Sequence, residues 1–579
     1  MARNSGGSGG TDGPQMTEQG TNEPRSSILI SKAWVQGVAL VMIFGFAVMG
    51  ILAYRTYSDG MPQPQQIVDS TGEVIITGEQ ITEGQAIFLR RGLQQYGSVL
   101  GHGGYLGPDY TAEYLRLASE HVKEQLTDQG VADPTMATIE MMRDNKYDAE
   151  TGTLVFTDEQ IAAFEYMKAY YADYFGEETT KYGLLPEFIT DPDDIHDMTA
   201  FFGWTAWASS AERPGLTYSY TNNWPPEPLV DNTPTADALL WSGISLVALL
   251  VGLGALLAAY GRWSKNLGWK SHEAPTLAFL QPGKVKITPS QKVTAWFFFV
   301  VALMFLAQTL LGAAIEHYRA ELSDFFGFDL ARILPFNLAR TWHVQLSLLW
   351  TAASFLAAGI FLAPIISGRE PKRQSWLATG LLAALALVVA GTITGTALST
   401  FGVEAVRGSP FFDQQWEYLD LPRVWQTLLV IGLFIWVLII YRAMRARLKQ
   451  DSKVNMPWLF FYSALTIPGF YAVGLLAGTE TNVTVAEFWR FWVVHLWVED
   501  FLELFTTIMV AYIFVMLGVV RRRIAIQIIF LDVILYSVGG VLGTMHHLYF
   551  SGTPVEHMAL GAFFSALEVI PLTILTDEA

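Results

Sequence analysis

The chain has 579 residues, of which 51% are hydrophobic, 13% aromatic and only 16% charged, with a formal net charge of -18. That balance fits a membrane protein better than a soluble one. Cysteine is absent, which excludes disulfides, thiolate ligands, iron-sulfur clusters and a c-type haem attached through C-x-x-C-H, so any metal must be held by His, carboxylate or Met.

Residues 1–30, beginning MARNSGGSGGTDGP, are rich in Gly, Ser and Thr and read as disordered. Beyond them, apolar runs of about 20 residues, the length a membrane-spanning helix needs, recur at 33–54, 237–260, 292–314, 344–366, 376–397, 424–444, 456–476, 487–519, 523–545 and 558–576. Ten spans are therefore expected. Basic residues gather in alternate connections, GRWSKNLGWK (261–270), GREPKRQ (368–374), YRAMRARLKQDSK (441–453) and RRR (521–523). This alternation predicts a cytoplasmic N-terminus. The expected plan is a first transmembrane helix at 31–54, an extracytoplasmic domain at 55–235, a second transmembrane helix at 236–260, a cytoplasmic loop at 261–291 and a catalytic helix bundle at 292–579.

The long connection carries 29 Asp and Glu against 10 Lys and Arg, enough to account for the whole net charge. A solvated acidic surface is the plainer reading; a basic partner is the other. Its aromatic stretch LLPEFITDPDDIHDMTAFFGWTAW (184–207) indicates a folded core, and it holds His102, His121 and His196.

The eighth run contains WVVHLWVEDF (492–501). An ionisable group facing lipid costs on the order of 3 kcal/mol, so His495 and Glu499 should face inward, and helical i, i+4 spacing puts them on one face. Alone, the pair fits a buried hydrogen bond equally well. The ninth run, however, ends in GTMHHLYFSGTP (543–554), with His546 and His547 adjacent. Adjacent helical residues diverge by about 100°, so both reach one ion only where the helix ends or loosens, as the glycines at 539, 540, 543 and 552 permit. Three histidines and a carboxylate suit iron, with zinc and manganese as other fits. Glu568, in GAFFSALEVIPL, is either a neutral acid linking helices or a proton donor beside the metal. Glu503 lies one turn beyond Glu499 and extends the same face.

His343, in LARTWHVQLSLLW, opens the fourth run and is either a capped helix-end histidine or a haem ligand. In GAAIEHYRAELSDFFGF, His317, Glu321 and Phe325 recur at i, i+4 and i+8. They offer a proton-accepting pair beside an aromatic plate, as a quinol head group requires; an interfacial His-Glu hydrogen bond is the bland alternative.

At these residues the sequence resembles the quinol-dependent nitric oxide reductases of the haem-copper oxidase superfamily. The resemblance runs from about residue 55 to the last residue. It rests on LQQYGSVLGHGGYLGPDY, FFGWTAWASSAERPGLTYSYTNNWPPEPL, RTWHVQLSLLWTAASFLAAGIFLAP, QQWEYLDLPRVWQ, FWRFWVVHLWVEDFLELF, GTMHHLYFSGTP and FSALEVIPL. It implies an all-α polytopic membrane protein with a haem-copper oxidase-like bundle and an extracytoplasmic cytochrome c-like domain lacking haem. It also implies that His495, His546, His547 and Glu499 hold a non-haem iron, that His343 ligates a low-spin haem b, and that His317, Glu321 and Phe325 bind quinol. Glu568 then matches the glutamate beside the binuclear centre, and a high-spin haem b completes it. Oxidases of the superfamily carry copper there and a tyrosine at the position of Glu499.

The expected partners are quinol, nitric oxide and the lipid bilayer, in the cell membrane. Nucleic acid is excluded, cytochrome c is not required, and a homodimer is compatible. The family also supplies an H-x-H pair on a later helix, whereas this sequence has no histidine after His557 and ends LTILTDEA. A C-terminally incomplete copy is therefore expected, about ten spans of fourteen, lacking the high-spin haem's proximal ligand and the partner of His343. Asp500 stands where the family has glycine. The rival readings are a nitric oxide dismutase, an oxygen reductase and, from another class, an ion-coupled transporter.

Overall fold

The computed structural model describes residues 30–267 and 286–564. The expected disordered N-terminus, most of the 261–291 loop, the body of the tenth span and Glu568 lie outside the described residues. Among those described, nine helices are long and apolar enough to cross a membrane. They run longer than the apolar runs that announce them. The fourth span is Phe336–Ser367 and the third Pro289–Glu321, because polar and aromatic residues at the bilayer boundary continue the helix past the hydrocarbon. The third span shows how such a helix starts: Thr288 accepts from the Gln291 amide while the Gln291 side chain returns to the Thr288 N–H, and Pro289 fills the first turn. A tenth helix begins at Val555 and is described to Phe564.

The spans are not equally enclosed. Over their most apolar windows, 61% of the fourth, 56% of the eighth and 67% of the ninth are buried, against 0% of the second and 11% of the third. The three enclosed helices carry His343, His495 and the His546/His547 pair, so these imidazoles stand inside protein rather than against lipid.

Between the first two spans lies the large domain. Its helices Gly78–Arg90, Tyr110–Asp128, Asp158–Gly176 and Pro192–Ser210 surround an aromatic core in which Tyr110 stacks on Phe202, centroids 4.5 Å apart and planes 3° from parallel. Gly84 lets two of these helices touch, since a Cβ there would stand 1.9 Å from the Asp197 carbonyl oxygen. A small sheet, unannounced by the sequence pattern, joins β1 (Gln66–Val68), β2 (Val74–Thr77), β3 (Tyr147–Asp148) and β4 (Thr153–Val155) in the order β2-β1-β4-β3, with β1 and β4 parallel. Strands of two to four residues are too short for period-two alternation to register.

Candidate metal centre

The eighth span is not one α-helix. Val483–Phe491 is regular, Trp492–Leu502 bonds i to i+5 as a π-helix, and Glu503–Leu517 is α again. Such widened turns are rare and occur frequently at functional sites. The expected simple α spacing of His495 and Glu499 is thus corrected to a π stretch. His495 is fully buried; the side chain of Glu499 lies outside the described residues.

The ninth span loosens as its glycines predict. It passes from Arg522–Leu535 through a π turn at Tyr536–Gly540, one turn at Val541–Gly543 and a tight 3-10 segment, Thr544–Leu548, that carries both histidines and ends the span. Three imidazoles consequently meet. Their candidate ligand nitrogens all lie within 4.8 Å of one another, and His547 Nε2 is 3.3 Å from His495 Nδ1. Three ligands spread around one ion at about 2.1 Å stand about 3.4–3.6 Å apart, so the set closes on a metal with shifts of about an ångström. Among the described residues no other cluster of His or carboxylate meets this test; in the large domain, His121 and His196 instead pack on Tyr166 and Phe164. Phe491 lies flat on His547 at 4.4 Å and 6°, fixing that ring's plane. A Cβ on Gly561 would fall 2.1 Å from the His546 backbone nitrogen, so the tenth helix packs directly on the main chain that carries the pair.

His343 stands two turns inside the fourth span rather than at its opening. Its Nδ1 is 2.8 Å from the Gln308 backbone carbonyl. A carbonyl only accepts, so Nδ1 carries the proton and Nε2 bears the lone pair, turned toward the Gln308 side chain. The Gln308 side-chain amide lies 3.1 Å from Nε2. A Cβ on Gly312 would meet the ring at 2.9 Å. This is how a metal-binding imidazole is oriented by its other nitrogen, and the residues fit a haem ligand.

His317 and Glu321 pair as expected, Nδ1 donating to Oε2 at 3.0 Å, both half exposed at the end of the third span. Phe325 reaches them differently. The helix stops at Glu321, Leu322 turns the chain at φ +64°, and a short 3-10 segment brings Phe325 back onto His317, centroids 4.7 Å apart. A continuous helical stripe is corrected to a hairpin-like return.

Two groups go beyond those expected from the sequence. Glu417, buried in the loop between the fifth and sixth spans, receives Arg340 Nη2 at 2.6 Å and Tyr105 Oη at 3.1 Å, with Arg490 Nη1 at 3.9 Å. Burial, and then the Glu417 carboxylate, push the Tyr105 hydroxyl up to about 12. The sequence shows only an acid, Glu417, inside QQWEYLDLPRVWQ, with no hint of its partners. The second group is Asp532, fully buried and facing Glu503 and Thr507 across the eighth and ninth spans. A lone Asp inside the apolar run IIFLDVIL is the signal that could have found it.

Residues 64–226 match the family model for the cytochrome c-like domain of the nitric oxide reductase component NorB, and residues 292–576 match "Cytochrome C and Quinol oxidase polypeptide I". Over residues 292–576, just under half of its length, the chain resembles the haem-copper oxidase family. Within it, the nitric oxide reductase NorB of Stutzerimonas stutzeri is 28% identical over 288 residues, 49% of this chain and 57% of that protein. The chain therefore matches little more than half the length of this relative. Haem-copper oxidases are multi-pass membrane proteins that use haem and a second metal, consistent with the nine apolar helices and the histidine cluster among the described residues.

Proposed function

We propose that the protein reduces nitric oxide with electrons from quinol, 2 NO + 2 e- + 2 H+ giving N2O and H2O. The convergence of His495, His546 and His547 from two neighbouring helices carries this reading, and the match to the NorB cytochrome c-like domain supports it. We assign non-haem iron to the three imidazoles, with Glu499 as fourth ligand, and a low-spin haem b to His343. When bound, the iron and haem supply electrons and a position for NO, so that the N–N bond can form within one site.

The chain's own residues perform the remaining tasks. His317 and Glu321 accept the quinol hydroxyl protons, and Phe325 holds the ring against His317. Gln308 lies nine residues before His317 on the third helix, about 14 Å of rise, so the quinol pair and the His343 imidazole are one short electron step apart. Phe491 fixes the His547 plane, and Glu568 and Glu503 assist proton delivery. The large domain sits on the extracytoplasmic face, opposite the basic loops.

The experiment is anaerobic NO consumption by the purified intact protein with quinol, with gas products read by mass spectrometry. One N2O per two NO is expected. N2 with O2 would mark a dismutase, and a preparation with no haem absorption bands would mark a transporter. His317→Ala should lose quinol-driven turnover yet retain turnover with a small artificial reductant.

A further inference from the structure

Residues 549–554 join the paired histidines to the helix Val555–Phe564, and the large domain grips them at three points. Asn222 Nδ2 donates to the Tyr549 carbonyl at 2.8 Å. Trp224 stacks on Phe550, centroids 4.7 Å apart. Arg213 Nη2 donates to the Gly552 and Thr553 carbonyls at 2.8 and 3.1 Å. The same guanidinium reaches the Tyr220 carbonyl at 2.7 Å and, through Nη1, the Asp59 carbonyl at the end of the first span at 2.9 Å. The gripped loop is itself braced. Thr553 Oγ1 donates to the Leu548 carbonyl at 3.0 Å, and Gly552, at φ +85°, fits where a Cβ would stand 2.5 Å from Thr484 Oγ1, at the start of the helix that carries His495.

The chemistry of Arg213 separates positioning from plain packing. It is 8% exposed, and its hydrogen-bond partners are main-chain carbonyls, none of them a carboxylate. A buried cation is costly to desolvate, and the Glu556 and Asp59 carboxylates act on this one through space rather than by hydrogen bonds, so an apolar residue would fill the space at lower cost. What arginine adds is a planar fork of five donors that can hold several chain segments in fixed relation. Here those segments are the first span, the large domain and the loop five residues beyond His547.

We propose that Arg213, with Asn222 and Trp224, is a positioning element for the metal centre, through which the haem-less domain sets where His546 and His547 stand relative to His495. This rests on reading the three histidines as a metal site.

The test is Co(II) titration of the metal-depleted intact protein, followed by the EPR signal of high-spin Co(II), in wild type, Arg213→Ala, Arg213→Lys, Asn222→Gly and Arg143→Ala. Arg143 is the matched control: it staples the large domain through Glu212, Thr217 and Val230 without touching 549–554. Wild type and Arg143→Ala should bind one Co(II) with the same signal. Arg213→Ala and Asn222→Gly should bind it at least tenfold more weakly with a shifted signal, and Arg213→Lys should recover part of the loss. Equal affinity and signal in all variants would overturn the proposal, as would equal damage in Arg143→Ala. If Arg213→Ala fails to accumulate, Asn222→Gly, which suits the left-handed backbone at φ +57° and removes only the side-chain hydrogen bond to the Tyr549 carbonyl, decides alone. Failure of wild type to bind Co(II) would instead overturn the underlying metal-site reading.

Discussion

Arg340 and Glu417 form a buried ion pair at 2.6 Å, with the Arg340 guanidinium 3.3 Å over the Tyr105 ring. Arg340 lies three residues before His343 and Arg490, the second cation facing Glu417, five before His495. One carboxylate thus braces the helices that carry His343 and His495 against the large domain. Glu417→Ala would leave Arg340 buried without its anion, at a cost of about 3–5 kcal/mol. Thermal unfolding in detergent should show that loss, together with disturbed haem absorption, whereas Glu417→Gln, which keeps an acceptor, should lose less.

Gly312 is the floor on which the His343 ring rests. With a Cβ placed 2.9 Å from the ring, Gly312→Val must displace the imidazole or the third helix. We expect a shifted low-spin haem spectrum and slower quinol-driven haem reduction in stopped flow, with the histidine cluster on the eighth and ninth spans unaffected.

Acid titration should single out Glu113 in the large domain. Burial pushes its carboxyl up to about 7, although the Tyr170 and Tyr171 hydroxyls oppose the shift. The folded state therefore binds this proton more tightly than the unfolded chain, whose carboxyl titrates near 4.3. Its penalty is negligible at pH 4, grows as pH rises and is complete above about 7. Glu113→Gln should flatten that fall in the unfolding temperature between pH 4.5 and 7.

Asp532 is a buried carboxyl facing the Glu503 carboxylate, with the Thr507 hydroxyl beside it. Replacing such a group by an apolar side chain of similar size relieves a desolvation cost of about 1–3 kcal/mol. Asp532→Leu should raise the unfolding temperature. If Asp532 also serves proton supply beside Glu503, the same variant will slow NO turnover while stabilising the fold.

Much of this arrangement was legible in the sequence, for a physical reason. Hydrocarbon imposes length and apolarity on a span, so runs such as 376–397 and 424–444 fall inside the helices Gln374–Thr400 and Arg423–Gln450. The cost of burying His495, and the glycines before His546, pointed to the histidine cluster. What could not be read depends on contacts between distant segments. Nothing in local sequence pairs Tyr105 with Glu417, returns Phe325 onto His317, or turns WVVHLWVEDFL into a π-helix. The widened turn of the eighth span is set by packing, whereas glycines announce the loosening of the ninth.

Glu499 provides a test that is independent of these contacts. Glu499→Ala should abolish NO reduction and lower iron occupancy, and full metal content with full turnover would remove it from the ligand set.

The central claim is that His495, His546 and His547 hold one metal ion between two helices. Its most direct test is the non-haem iron content per chain of purified wild type beside His495→Ala. One iron in wild type and none in the variant, with haem content unchanged, is the predicted result. A variant that retains the full complement of non-haem iron would contradict the claim.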